Sequence, residues 1–140
     1  MATNISTITI NASKQKVWDT LTKPELVKLW QYGSELQTDW KVGSKIEFVT
    51  EWEGKQFKQW GTVLEYNPTD SLTYNLFAPQ PGLEDKAENY FVMKYVLTGS
   101  DGNIKLEIIQ VNNRPNAVQQ PPQGDENPIL QALKKLAETS

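Results

Sequence analysis

The apolar positions of the chain change their period along its length. Thr3 to Ile10 alternates, with Ile8 and Ile10 on one face and Thr7 and Thr9 on the other, which predicts a strand. Ser13 then stands where a helix N-cap belongs, and Val17, Trp18 and Leu21 fall on one helical stripe behind it. The reciprocal capping-box partner is missing, because Lys16 occupies the position from which Glu or Gln would reach back. Pro24 opens a second short helix, since the first helical position needs no N–H donor. Glu25 suits the positive end of its dipole, Leu26, Leu29 and Trp30 make its apolar stripe, and Gly33 lies just past its end.

From Ser44 the period becomes two. Ile46, Phe48, Thr50 and Trp52 alternate with Lys45, Glu47, Val49 and Glu51, the pattern of a strand with one buried and one wet face. Glu53-Gly54 predicts a hairpin turn into a strand over 56–66, and Asn67-Pro68-Thr69-Asp70 a second turn into a strand over 72–77. Residues 78–86 contain Pro79, Pro81 and Gly82 and read as a loop. Tyr90 to Leu97 is apolar at almost every position, which suits a central strand or one covered on both faces. Gly99-Ser100-Asp101-Gly102 is a hairpin loop, and Ile104, Leu106 and Ile108 mark the buried face of the last strand. Residues 112–127, with Pro115, Pro121, Pro122 and Gly124, show no periodicity; a stretch of this kind inside a compact domain is either a functional lid or poorly ordered. Asn127-Pro128 caps a final helix whose stripe is Ile129, Leu130, Leu133, Leu136 and Ala137. Strand, two short helices, a run of strands and a terminal helix make an α+β domain spanning 1–140, with a sheet of about six antiparallel strands covered by the last helix.

Composition narrows the chemistry. The 140 residues contain no Cys and no His, so thiol nucleophiles, disulfides, Ser-His-Asp triads and the commonest metal ligand are all absent from the repertoire. The net charge is −3 and the lysines are scattered, which argues against a nucleic-acid surface. No apolar run reaches the ~18 residues of a membrane span, so no membrane insertion is expected. Met1 to Ile10 lacks the apolar core of a signal peptide, and a cytoplasmic location is expected.

Several strings, in order, carry a resemblance. They are Ala12-Ser13-Lys14-Gln15-Lys16-Val17-Trp18 with Leu21-Thr22; Pro24-Glu25-Leu26 with Leu29-Trp30; and Gly61-Thr62-Val63-Leu64-Glu65-Tyr66-Asn67-Pro68 with Leu72 and Tyr74. Met93-Lys94-Tyr95-Val96-Leu97, a glycine-rich hairpin and Ile104-Lys105-Leu106 complete the set. Together they resemble the SRPBCC superfamily, the START-like helix-grip fold, in the branch named after the activator of the heat-shock protein ATPase. Lys23 replaces the common Asp before Pro24, and Asn127-Pro128 stands where Gly-Trp often opens the last helix.

The resemblance implies a curved sheet gripping the C-terminal helix around an apolar cavity. Strand parity then names the residues that face it: Phe48, Thr50 and Trp52; Gly61 and Val63; Tyr74 and Leu76; Met93, Tyr95 and Leu97; Leu106 and Ile108. Trp18 and Trp30 are expected near the mouth, and Gln59 and Gln110 point inward, where they would orient a ligand's polar group or hold a water. The competing account of each is core filling. Glu47, Glu51 and Glu107 point outward by parity, Glu65 suits a structural role, and Arg114 is either a carboxylate clamp or a surface residue. The function expected from this set is binding of a small apolar molecule, lipid-like or aromatic, without a catalytic residue, cofactor or metal. The alternatives are a co-chaperone module that binds a chaperone or a second copy of itself, and a cyclase- or dehydratase-like enzyme with Tyr74 or Tyr95 beside Gln110.

Overall fold

The computed structural model describes residues 2–30, 34–79, 82, 84–112, 124 and 127–139, the side chains of Trp52 and Ala87 excepted. Strand β1 (Ala2–Ile10) leads into helices α1 (Lys14–Thr22) and α2 (Pro24–Trp30). Strands β2 (Glu35–Gln37), β3 (Lys45–Trp52), β4 (Lys55–Asn67), β5 (Ser71–Leu76), β6 (Phe91–Ser100) and β7 (Asn103–Asn112) follow, and α3 (Pro128–Thr139) closes the chain. A single antiparallel sheet runs in the order β1-β7-β6-β5-β4-β3-β2. It has seven strands, one more than the hydrophobic pattern predicts. The addition is β2, three residues long, too short for alternation to show.

Ser13 caps α1 as expected, its hydroxyl accepting from the Lys16 N–H at 3.1 Å. Helix α2 departs from its expected stripe. Val27 and Trp30 are buried, whereas Leu29 is 64% exposed, because only one edge of a seven-residue helix faces the core. Trp30 is anchored by its indole N–H, which donates to the Thr20 carbonyl at 2.7 Å. The β3–β4 turn has Glu53 and Gly54 at φ 50° and 78°, the left-handed pair that matches strand twist in a two-residue hairpin.

Helix α3 buries Leu130, Leu133 and Ala137 and packs on β1, α1 and α2. Its direction is fixed at its C-terminal half. Lys134 Nζ donates to the Thr9 carbonyl at 2.8 Å, and Glu138 accepts from the Asn11 N–H at 2.7 Å. The first turn of α3 therefore reaches the opposite end of β1, where Asn127 Oδ1 accepts from the Ile129 N–H at 2.9 Å. Among the described residues, no helix is long and apolar enough to cross a membrane.

Candidate functional site: a cavity between the sheet and the last helix

The inward faces of the central strands change character along their length. One row, Ile8, Leu106 and Leu97, is wholly aliphatic and buried. The next row is Ser6, Ile108, Tyr95 and Leu72, and the one after it Asn4, Gln110, Met93 and Tyr74. Side chains that fill volume thus give way to smaller, polar or flexible ones. A cavity of about 440 Å³ lies over these last rows, within the range of small-molecule sites.

Of the residues expected at a site, Trp30, Phe48, Thr50, Tyr74, Leu76, Met93, Tyr95, Ile108 and Gln110 line this cavity, and Gln59 joins them. Val63 and Leu106 lie in the solid core, as does Trp18, 3% exposed rather than standing at the mouth. Trp52 belongs to β3, but its side chain is outside the described residues, as are Arg114 and all but Asn112, Gly124 and Asn127 of the proline-rich stretch. The lining also takes Ser6, Ser34, Phe91, Asn127, Ile129 and Leu130. Parity with Ile8 and with Met93 would have found Ser6 and Phe91. Nothing local marks Ser34, and Ile129 was readable only as part of a core stripe; it is 39% exposed.

The floor is aromatic. Tyr74 packs against Phe48 and Tyr95 at centroid distances of 5.8 and 5.7 Å. Behind it stands Trp40, then Tyr66 stacked on Trp40 at 5.7 Å, then Trp18 at 5.5 Å from Tyr66. Trp40 holds a left-handed backbone at φ 60°, uncommon for a bulky residue, while its indole N–H donates to the Thr22 carbonyl at 2.9 Å. No periodic pattern pointed to Trp40.

Polar groups are few and unequal in burial. The Tyr74 and Tyr95 hydroxyls share a 2.6 Å hydrogen bond and are almost completely buried. Burial pushes the Tyr95 hydroxyl up to about 12, its bond to Tyr74 acting against the shift. Tyr74 is raised well above the ordinary phenol range, by burial first and then by Tyr95 beside it. Ser34 and Thr50 pair through their hydroxyls at 2.9 Å, and Gln110 Oε1 accepts from Asn4 Nδ2 at 3.4 Å. The carboxylates lie elsewhere. Glu47 is bonded to Lys45 at 2.7 Å, which holds it below the usual carboxylate range, and Glu107 pairs with Lys105 at 3.8 Å. All the described lining residues are uncharged. Such a site offers shape, apolar contact and a few hydrogen bonds.

Known structures share this architecture. A Cytophaga hutchinsonii protein, solved in solution, is 37% identical over 80% of this chain and 78% of its own, with a TM-score of 0.65. The Aha1 dimer from Colwellia psychrerythraea is 16% identical, covering 99% of this chain and 98% of its own, with a TM-score of 0.68. An HSP90 activator from Plasmodium falciparum is 15% identical, covering 84% and 76%, with a TM-score of 0.65. No curated protein is significantly similar. The family described as activator of Hsp90 ATPase homolog 1-like protein matches residues 11–139. With nearly its whole length inside that match, the chain belongs to the activator of Hsp90 ATPase homolog 1-like family.

Proposed function

We propose that the chain binds a small apolar molecule in the cavity between the sheet and α3, without transforming it. The observation that carries this reading is an uncharged cavity of about 440 Å³, mostly aliphatic and aromatic, in the grip of sheet and helix. A general base working near neutral pH needs a pKa near 7, and the two hydroxyls on the floor are shifted the other way. Native mass spectrometry of the purified protein, followed by denaturing extraction, tests the proposal. A near-stoichiometric apolar molecule is the expected result, with occupancy lost in Ile108→Trp, whose indole fills the cavity. A clean apo mass together with no uptake of a neutral fluorescent probe sinks it.

A second reading has one surface in its favour. Beyond Trp60 the hairpin of β3 and β4 projects past β5 as an arm, flanked by β2 as far as Lys58 and two-stranded from Phe57 to its turn; Phe57 is 54% exposed, and among the described residues the outer edge of β4 is unpaired from Lys55 to Gln59. That arm would serve contact with an HSP90-type chaperone, or with a second copy of the chain, as the names of the Plasmodium and Colwellia proteins suggest. Under this reading Phe57→Glu abolishes an effect on the chaperone's ATPase rate or a dimer seen by light scattering. No change in either for the unmodified protein removes the reading.

A further inference from the structure

We infer that the cavity selects an uncharged ligand carrying a hydrogen-bond-accepting oxygen, the carbonyl of a ketone, ester or quinone, and that Tyr74 and Tyr95 receive it; this rests on the ligand-binding reading above. Two phenol hydroxyls carry two protons, and the 2.6 Å bond between them uses one. Whichever oxygen donates, the other keeps a proton that has no acceptor among the described residues. Both rings line the cavity and are only 2% and 3% exposed, so bulk water does not reach this donor freely. A buried donor without a partner is unfavourable, and a ligand oxygen entering the cavity would satisfy it.

The remaining polar groups make a weaker demand. Ser34 with Thr50, and Gln110 with Asn4, also keep donors beyond their one mutual bond, but they and Ser6 are only half-buried and within reach of water, and Gln59 is exposed at the rim. The recognition that matters is therefore at the floor, and it donates.

Charge is disfavoured in either sign. A carboxylate in the cavity would lose its hydration with no cation to replace it, because the described lining holds neither Lys nor Arg. Lys94 and Lys105 belong to the opposite parity of β6 and β7 from Tyr95 and Ile108, and Lys134 is bonded to Thr9 and Glu138. An ammonium likewise meets no carboxylate among the described lining residues, and Glu47 and Glu107 lie on the other face with their lysines.

The experiment uses four probes of one shape: 2-acetylnaphthalene, 2-ethylnaphthalene, 2-naphthoate and 2-naphthylmethylammonium, titrated calorimetrically into the full chain and into the double variant Tyr74→Phe/Tyr95→Phe. The double variant is required, because removing one hydroxyl leaves the other with a free proton. The expected result is that the affinity of the ketone relative to the hydrocarbon falls about three- to tenfold in the variant. Binding of 2-ethylnaphthalene serves as the check that the variant's cavity is intact. Both ions are expected to bind the unmodified protein at least tenfold more weakly than the ketone. The unmodified protein also gives a direct readout: the carbonyl stretch of bound, isotope-labelled 2-acetylnaphthalene should fall below its frequency in a hydrocarbon solvent. An unshifted stretch, an unchanged ketone-to-hydrocarbon ratio, or an ion binding as tightly as the ketone overturns the inference while leaving an apolar cavity in place. Failure of all four probes to bind overturns the ligand-binding reading with it.

Discussion

The two ends of this sheet use the same strands for different purposes. At the end turned by Asp70 and Asp101, the inward residues Ile8, Ile10, Leu97, Ile104 and Leu106 are at most 3% exposed. Polar contacts clasp that end shut. Lys14 bonds Asp70 through Nζ at 2.8 Å and Asp101 through its backbone N–H at 2.9 Å, and the Gly102 N–H donates to the Ala12 carbonyl at 2.9 Å. At the other end the inward residues are Ser6, Gln59, Met93 and Ile108, and among the described residues the first turn of α3 stands over them. The difference shows how a chain of this size supports a cavity: stability is concentrated where packing is complete, and the open end is left under-filled.

The largest expected effect breaks that comparison at its sealed end. Leu106→Ala leaves a hole among fully buried neighbours and should cost about 3 kcal/mol of unfolding free energy. Met93→Ala removes a half-buried, flexible side chain from the wall of an existing cavity and should cost about 1 kcal/mol or less, while weakening ligand uptake. Urea unfolding of both variants, paired with probe binding, checks the contrast. Equal losses would mean that the two ends are equally packed.

A smaller effect is expected where β4 passes close to β5, between the two ends. A Cβ on Gly61 would run into the Asn75 backbone carbonyl, a rigid neighbour, so β4 and β5 would have to part. The same Asn75 accepts from the Thr62 N–H through Oδ1 at 2.7 Å, a side-chain bond in place of a ladder bond. Gly61→Ala should therefore cost about 2 kcal/mol, and it should disturb the wall of β3 and β4, with Phe48, Thr50 and Gln59, more than the sealed end. Hydrogen exchange resolved by residue distinguishes the two: protection lost first around β3 and β4 is the expected pattern.

Legibility in the sequence follows the same division. Alternation over Ile46 to Trp52 and Ile104 to Ile108, with Ser13 and Pro24 as helix starts, disclosed nearly every element, because long periodic segments and caps are local signals. Strand β2 escaped because three residues carry no period. Parity also located the inward face, and with it Phe48, Tyr74, Met93, Tyr95 and Ile108 at the cavity. Parity says which face a residue takes but not how far along the strand the core stops. Val63 and Leu106 share that face and lie in solid core, while Met93 and Gln110 open onto space. The Tyr74–Tyr95 bond joins residues 21 apart in sequence through the β5–β6 register, which no string within either strand encodes.

The smallest effect concerns the boundary, where the tyrosine pair separates packed core from cavity. Burial holds Tyr95 at about 12 and Tyr74 well above its ordinary value of 10.0, and water reaching the hydroxyls would remove that shift. A folded-state value raised above the unfolded one means that the native protein keeps a proton the unfolded chain has released. The contribution to stability is therefore complete below pH 10.0 and is lost as the pH rises toward about 12. By pH 11 the loss should be roughly 1 kcal/mol for Tyr95, since one unit of difference corresponds to about 1.4 kcal/mol. Lysines also titrate in this window, so the measurement is a difference: urea unfolding of the unmodified protein and of Tyr74→Phe/Tyr95→Phe at pH 9 and pH 11. The unmodified protein should lose more stability between the two, and its phenolate absorbance should still be rising at pH 11. Parallel losses would place water at the pair and move the boundary of the packed end one row of side chains deeper, onto Leu97 and Leu106.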